Sequence, residues 1–274
     1  MRKHITGFSN PTVKYWRSLR DKKHRKRAGQ FLVEGLRLLE DARVSGHRPR
    51  QLVMAAENER ARAAHPLLGQ LEVAILEAGG EIITTTPDIL SKITGKSNAQ
   101  SVVGVFDEFD TSLARLDRTS APIWLVAQDL RDPGNLGTML RTGDAVGAGG
   151  LILIDDCADP FSAEAVRASM GAVFTQGLAQ ARWEDFAAWL REGVGQLVAA
   201  SLRDAVPYRG AAYQAPCFIL VGNESQGLPE SYEAECDLRV TMPMKGRADS
   251  LNAAVAGAVL AYEVLAGLEG SAGR

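Results

Sequence analysis

The alternation of apolar and polar residues predicts a small α/β domain in the first part of the chain. Short apolar runs there alternate with stretches whose apolar residues recur at helical spacing. The predicted strands are residues 31–35, 51–54, 81–85 and 101–106, and the predicted helices are residues 36–44, 66–78 and 87–93.

From Pro122 onward the apolar runs become stronger and nearly continuous. Strands that are apolar at almost every position suit a parallel sheet covered on both faces. The predicted strands are residues 123–127, 151–154, 197–200, 218–221 and 238–240, with helices at 136–146, 164–170 and 183–191 and a last helix from about 250 to 268.

The composition divides the chain into four parts. Residues 107–121 are polar and charged without an apolar period, which is typical of a linker. We therefore expect a basic N-terminal arm (1–27), a small α/β domain (28–106), this linker (107–121) and a C-terminal α/β domain with a parallel sheet (122–274).

The cysteines and the hydropathy exclude several classes of protein. Three widely spaced cysteines argue against a disulfide framework and a four-cysteine zinc site, so we expect buried thiols in a reducing cytoplasm and no metal. No secretory signal follows the charged N-terminus, and no run of about 18 apolar residues predicts a membrane span.

The charge is distributed unevenly along the chain. The net charge is −2, yet residues 1–27 carry ten Lys or Arg and one Asp. A solvated, partly disordered tail is one interpretation, but the interleaved Tyr15 and Trp16 favour nucleic acid, because aromatic faces stack on unpaired bases. The predicted RNA-binding residues are Lys14, Arg17, Lys22, Lys23, Arg25, Lys26 and Arg27.

A first motif follows a predicted strand and opens a helix. Asp132 and Pro133 make a stiff turn, because proline fixes its own φ and restricts the preceding residue. Asn135 is placed to cap a helix that starts at Leu136, and Arg141 emerges further along that helix. Taken alone, this motif is equally typical of a capped helix with an exposed arginine.

Two further motifs follow later strands. Loop 222–229 contains two glycines at a strand end, where ligands bind in α/β sheets, and it includes Glu224. In segment 242–252, a loop containing glycine precedes the long last helix, which Ser250 or Asp249 is expected to cap, with Asn252 in the first turn. Each motif alone is also compatible with an ordinary turn or helix start.

Together, and in this order, the three motifs resemble the SpoU (TrmH-like) branch of the SPOUT methyltransferases. The family patterns D-P-x-N-x-G-x-x-x-R, G-N-E-x-x-G-L and I-P-M-x-G-x-x-x-S-L-N are matched at the right separations. Met242 replaces the usual Ile, and Ser225 stands where Gly or Ala is common. The N-terminal part, including Phe31-Leu32-Val33-Glu34-Gly35, is similar to the RNA substrate-binding domain attached to many members.

The resemblance implies a deep trefoil knot in the C-terminal domain, homodimerisation, and S-adenosylmethionine as the methyl donor to a ribose 2′-hydroxyl in structured RNA. Ribosomal RNA is favoured over transfer RNA, and both housekeeping modification and antibiotic self-protection stay open. The implied catalytic residues are Asn135, Arg141, Glu224, Ser250 and Asn252, and the implied cofactor-binding residues are Gly222, Met242 and Leu251.

The role of Arg141 follows from the chemistry of arginine. The family position is catalytic and has been considered a general base, but arginine normally stays protonated in proteins. Stabilising the developing alkoxide or gripping a phosphate suits a permanent cation better. We therefore expect Arg141 to act as a positioned cation first and as a base only in a strongly perturbed site.

Three rival functions are weighed against this one. A nicotinamide site is disfavoured because glycine-rich segment 143–150 precedes its strand. A serine hydrolase is disfavoured because Ser225 lacks a nucleophile-elbow pattern and all four histidines lie in the first 65 residues. The serious rival is an RNA-binding protein whose knot domain has lost catalysis, and the retained polar motif residues argue against it.

Overall fold

The computed structural model describes residues 1–56, 66–97, 102–223, 225–247 and 250–272. The chain forms two compact units. The first consists of Met1–Phe109 together with Phe161–Phe174, and the second of Asp110–Pro160 together with Thr175–Arg274. Two segments therefore belong elsewhere than the sequence suggested. Residues 1–27 are part of the first unit rather than an arm, and Phe161–Phe174 is part of the first unit rather than of the C-terminal domain.

The first unit is built on a mixed five-stranded sheet of order β1-β4-β3-β5-β2. β1 and β3 run parallel to β4, whereas β5 runs antiparallel to β3 and β2. The strands are β1 (Arg2–His4), β2 (Gln30–Glu34), β3 (Gln51–Ala55), β4 (Glu81–Thr85) and β5 (Val102–Asp107). The described helices are α1 (Pro11–Ser18), α2 (Lys22–Ala28), α3 (Leu36–Val44), α4 (Pro66–Glu77) and α5 (Pro87–Thr94).

The basic N-terminal segment is folded because it carries an apolar stripe among its charges. Val13, Trp16 and Leu19 recur at helical spacing and are buried in the core of this unit. α1 packs against α5, and β1 adds an edge strand to β4. The expectation that Trp16 stacks on RNA bases is wrong, because its ring is fully buried and its Nε1 donates to Oε1 of Gln51 at 2.7 Å.

An aromatic cluster holds segment Phe161–Phe174 in the first unit. The ring of Phe161 lies 4.9 Å from that of Phe31, and the ring of Phe174 lies 5.3 Å from that of Phe106. Helix α7 (Ala163–Ala168) within this segment packs against β2. Burying large aromatic rings stabilises the fold strongly. The segment therefore packs in the unit where its rings find aromatic neighbours, although it is distant from that unit in sequence.

The second unit contains a seven-stranded, all-parallel sheet of order β10-β12-β9-β11-β6-β7-β8. As predicted from their continuous apolar runs, the central strands are buried. The strands are β6 (Ile123–Gln128), β7 (Gly150–Ile154), β8 (Gly177–Ala181), β9 (Gln196–Ala200), β10 (Val206–Pro207), β11 (Cys217–Val221) and β12 (Leu238–Thr241). The helices are α6 (Pro133–Ala145), α8 (Trp183–Arg191), α9 (Glu230–Ala234) and α10 (Ala253–Ala272).

The strand order determines which loops meet. β9 lies between β12 and β11, and β6 lies on the other side of β11. Because all of these strands are parallel, the loops that follow them emerge at one edge of the sheet. These loops include the three segments that carry the sequence motifs, so the sheet brings distant parts of the chain together.

Helix α10 closes this side of the unit by packing against α6, β11 and β6. It is long and apolar enough to cross a membrane by length and composition, with a mean hydropathy of 1.4 over Ala253–Gly270, so the expectation that no segment has these properties is wrong. The same composition serves a core helix. Ala254, Leu260 and Val264 are buried, and Gly257 lets the side chain of Met139 approach closely.

The cysteines are thiols without a disulfide. Cys157 and Cys217 are buried, as predicted, and Cys236 is half-buried. Burial raises the pKa of the Cys157 thiol to about 11 and that of Cys217 to about 12, so both stay protonated and unreactive at neutral pH.

Candidate active site

The first motif begins helix α6 earlier than the sequence suggested. Asp132 is the cap, and its Oδ1 accepts a hydrogen bond from the backbone N–H of Asn135 at 2.7 Å. Pro133 occupies the first helical position, where its missing N–H has no cost. The prediction that Asn135 caps a helix starting at Leu136 is therefore wrong. Asn135 lies inside the first turn, and its side chain is available to a neighbour.

Arg141 lies on an exposed face of α6. Within the described residues its guanidinium makes no hydrogen bond and no ion pair. Arg141 and Asn135 are six residues apart and thus about 120° apart around the helix. The structure does not join these two side chains, so a direct orienting contact from Asn135 to Arg141 is not seen. Among the described residues, the Arg141 guanidinium therefore has no carboxylate partner.

Asn252 is the cap of α10 and also its link to α6. Its Oδ1 accepts from the backbone N–H groups of Ala254 at 3.0 Å and Val255 at 3.2 Å, and its Nδ2 donates to Oδ1 of Asn135 at 3.0 Å. The prediction that Ser250 caps this helix is wrong, and the alternative, Asp249, lies outside the described residues. A polar residue opens this apolar helix because it ties together the starts of two helices.

The second motif forms a loop that is organised by Asn223. Its Oδ1 accepts from the backbone N–H of Ser225 at 2.9 Å, and its Nδ2 donates to the carbonyl of Asp129 at 3.0 Å. Asp129 follows β6 and has a φ of 53°, a conformation that aspartate tolerates better than most residues. Asn223 thereby connects the ends of β11 and β6. Glu224 lies outside the described residues.

Gly222 lies where any side chain would collide with the backbone of the same loop. A Cβ atom there would lie 2.6 Å from the carbonyl carbon of Gly227 and 2.7 Å from the backbone nitrogen of Leu228. The loop therefore folds back onto the strand end with backbone against backbone. This close approach forms one wall of a cavity.

The cavity, here called the loop cavity, has a volume of about 550 Å³, which lies within the usual range for small-molecule sites. It lies where the loops after β9, β11 and β12 meet. Gly222, Met242 and Leu251, the three predicted cofactor residues, all line it, and so does Ser250. Asn135 and Arg141 are not part of the lining, although Asn135 is one hydrogen bond away from Asn252.

The polar part of the loop cavity was missed by the sequence reasoning. Glu233 is only 5% exposed, and its Oε2 accepts from Nη1 of Arg203 at 3.2 Å. Ser201, Arg203 and Glu233 all line the cavity. No sequence signal marks them, because only the strand order places the end of β9 beside the ends of β11 and β12. Asn223 was more accessible to prediction, since an Asn after a strand often forms such a turn.

One of the predicted RNA-binding residues is buried. Arg25 is 3% exposed, and its guanidinium donates to the carbonyls of Leu19 at 2.9 Å and Arg20 at 2.7 Å. Its prediction as an RNA ligand is wrong, because it holds the turn between α1 and α2. The remaining predicted residues are exposed and make no ion pair within the described part of the chain: Lys14, Arg17, Lys22, Lys23, Lys26 and Arg27.

Two protein-family models match the chain. Residues 122–262 match the SpoU rRNA Methylase family, and residues 10–104 match the MRM3-like substrate binding domain. The chain is 29% identical to a 23S rRNA guanosine 2′-O-methyltransferase of Bacillus subtilis, over 96% of this chain and 99% of that protein.

Solved structures show the same fold. An AdoMet-bound rRNA methyltransferase from Sinorhizobium meliloti has a TM-score of 0.89 and 38% identity, covering 96% of this chain and 97% of that one. The SpoU methyltransferase AviRb from Streptomyces viridochromogenes, solved with AdoMet, has a TM-score of 0.83 and 28% identity over 94% and 97%. The predicted fold class, a small α/β domain before a knotted parallel-sheet domain, is confirmed, and the chain belongs to the SpoU rRNA methylase family.

Proposed function

We propose that this protein transfers a methyl group from S-adenosylmethionine to a ribose 2′-hydroxyl of ribosomal RNA. The observation that carries the proposal is the loop cavity. Two motifs from distant parts of the chain line it, and Asn252 connects the third motif to the helix that bears Arg141. Relatives that are similar over nearly their whole length methylate 23S rRNA at the ribose.

The residues of the loop cavity fit this cofactor. Met242, Leu228 and Leu251 offer an apolar wall for a flat adenine, and the close backbone packing at Gly222 keeps this wall thin. The pair of Glu233 and Arg203 contributes a carboxylate and a guanidinium to the lining, while Ser201 and Thr241 offer hydroxyls to the polar groups of the cofactor. When bound, S-adenosylmethionine supplies an electrophilic methyl group on a sulfonium.

The part assigned to Arg141 is electrostatic. Its cation has no carboxylate partner among the described residues, so its charge is available to a phosphate or to the developing 2′-alkoxide. Such stabilisation lowers the barrier to loss of the hydroxyl proton without requiring arginine to act as a base. Asn135 and Asn252 hold the starts of α6 and α10 in register. Glu224 and Ser250 stay predicted members of the site.

Ribosomal RNA is proposed over transfer RNA because the two-domain relatives act on it. We also propose that the protein acts in the cytoplasm and as a homodimer. Its unreactive thiols suit a reducing compartment. Helix α10 leaves Val255 and Tyr262 about half exposed, which offers apolar surface to a second copy. Light scattering coupled to size-exclusion chromatography tests the dimer, and a monomer mass would overturn it.

The function is tested in two steps. Calorimetry with S-adenosylmethionine measures binding to the loop cavity, and absence of binding at millimolar concentration would favour a non-catalytic RNA-binding protein. Mapping of 2′-O-methyl positions in RNA from a deletion strain then identifies the substrate. Loss of one ribosomal position is expected, whereas loss of a transfer RNA position alone would overturn the choice of ribosomal RNA.

A further inference from the structure

The first unit contains a second cavity, of about 560 Å³, which is here called the basic pocket. It lies between α1, the turn before it, and α5. Four of its lining residues are cations and one is an acid. The residues that matter are Phe8, Arg17, Arg20, Asp88, Lys92 and Lys96.

Three cations of the basic pocket have no side-chain partner among the described residues. The side chains of Arg17, Arg20 and Lys92 make no ion pair or hydrogen bond within the described residues, and all three are exposed. Lys96 alone is held, by Glu34. Some other exposed cations of the same unit are paired, as Arg37 is with Asp41 at 3.1 Å. A group of unpaired cations repels itself, and an external polyanion relieves this repulsion.

Arg20 shows how closely these cations are assembled. Its guanidinium lies against the backbone of Gly95, where a Cβ atom would be 2.3 Å from it, and Gly95 is the C-cap of α5 in the left-handed conformation. The negative end of the helix dipole favours a cation at that place. The charge of Arg20 is thus directed to the same opening as those of Arg17 and Lys92, and Asp88 is the single carboxylate in the lining.

The pocket also exposes an aromatic ring. Phe8 is 51% exposed at the tip of turn 7–10, which is closed by a hydrogen bond from the backbone N–H of Asn10 to the carbonyl of Gly7 at 3.1 Å. The turn is held in place because Oδ1 of Asn10 accepts from the N–H of Thr12 and caps α1. An exposed ring beside cations suits an unstacked base with its phosphates, because a base inside a duplex hides its faces.

We propose that the basic pocket binds an unpaired nucleotide of single-stranded RNA, with its base on Phe8 and its flanking phosphates at Arg17, Arg20 and Lys92. The inference rests on the proposed function in taking RNA as the substrate, and it names the part of the RNA that this unit recognises.

Fluorescence anisotropy with a labelled single-stranded RNA and its duplex tests the proposal on the full chain. Phe8→Ala is expected to weaken single-strand binding by about tenfold to a hundredfold and Phe8→Tyr to restore it, since stacking needs only a ring. The double variant Arg17→Gln/Lys92→Gln is expected to reduce the slope of log K against log salt by about 1.4. The control Arg37→Gln, which removes one positive charge from a paired site, should change neither quantity.

Two results would overturn the proposal that the basic pocket binds an unpaired nucleotide. One is wild-type affinity in Phe8→Ala and in the double variant. The other is equal, Phe8-independent binding of single strand, duplex and polyglutamate, which would indicate a general polyanion surface or an acidic protein partner. Thermal melts confirm that the variants are folded, as expected for exposed positions.

Methylation kinetics separate this inference from the proposed function. Phe8→Ala is expected to raise the KM for RNA and to leave kcat and the affinity for S-adenosylmethionine unchanged. If the wild-type protein bound no S-adenosylmethionine and methylated no RNA but kept Phe8-dependent single-strand binding, the proposed function would fail and the pocket would stand. If it methylated RNA with no effect of Phe8→Ala, the pocket would fail and the function would stand.

Discussion

The loop cavity and the basic pocket are almost equal in volume but are built in opposite ways. In the loop cavity the polar side chains are held within the protein, since Asn223 makes three hydrogen bonds to the backbone and Arg203 is paired with Glu233. Beside it, Asn252 also makes three hydrogen bonds. In the basic pocket Arg17, Arg20 and Lys92 make no such contacts within the described residues. A cavity whose polar side chains are held by hydrogen bonds can recognise a small ligand by its shape. Exposed cations without partners instead recognise a polyanion such as RNA by its charge.

The largest expected effect tests whether Arg141, a cation without a carboxylate partner among the described residues, is the catalytic group. Arg141→Ala should lower kcat by about 100-fold to 1,000-fold, because a charge that stabilises the transition state is lost. Single-turnover methylation with saturating RNA measures it. Arg141→Lys should keep part of the activity, since it keeps the charge but not the planar donor geometry.

Arg191→Ala is the matched control for Arg141, because Arg191 is an exposed arginine of the same unit that is paired with Glu235. It should retain wild-type kcat. Full activity of Arg141→Ala would remove Arg141 from the reaction and leave the rigid loop cavity as the sole identified part of the site.

The next effect tests the rigidity of the loop cavity. Gly222→Ala should weaken the affinity for S-adenosylmethionine by about 5- to 150-fold, the equivalent of an overpacking cost of about 1–3 kcal/mol, because the new methyl group meets backbone at 2.6 Å. Gly246→Ala is the control from the third motif, where a Cβ atom meets nothing within 4 Å. Equal affinities of the two variants for S-adenosylmethionine would show that the loop accommodates the added methyl group and that the shape of the loop cavity is not rigid.

A smaller effect concerns the link between α6 and α10. Asn252→Ala should lower the free energy of unfolding by about 0.5–2 kcal/mol, since two backbone N–H groups of α10 lose their cap. Asn252→Asp keeps the cap but cannot donate to Asn135, so it should regain stability and still show reduced kcat. Urea denaturation and methylation rates measure the two quantities, and wild-type kcat in Asn252→Asp would make this contact structural only.

The smallest effect tests the aromatic cluster that completes the first unit. Burial lowers the pKa of His47 from its ordinary value of 6.5, and its ring lies 4.6 Å from that of Phe109. The unfolded chain therefore binds a proton more readily, so this contribution to stability is complete above pH 6.5 and is lost as the pH falls through the lower folded pKa. In His47→Phe, the free energy of unfolding should therefore decrease less as the pH falls below 6.5.

An unchanged profile in His47→Phe would mean that the imidazole is not desolvated and that the cluster is more open than its ring distances indicate.

Local patterns were sufficient where a residue's role depends on its neighbours in the chain. The apolar runs predicted five of the seven strands of the parallel sheet to within about a residue and missed β8 and β10. Helices Leu36–Val44 and Trp183–Arg191 were predicted at their observed bounds. The pattern failed for α1, because its many charges obscured the stripe of Val13 and Trp16. It also failed for the helix caps, since several polar residues precede each helix and only backbone geometry selects Asp132 and Asn252.

The sequence by itself determined the family, because the motifs are local and lie at strand ends. It also predicted Gly222, Met242 and Leu251 as cofactor positions and Arg141 as a catalytic residue. The tertiary structure alone decided that Ser201 and Glu233 face the same cavity, that Arg25 is buried, and that Phe8 stands beside Lys92. The physical reason is that these pairings depend on strand order and helix packing. Both are set by the burial of apolar surface across the whole chain rather than by any short segment.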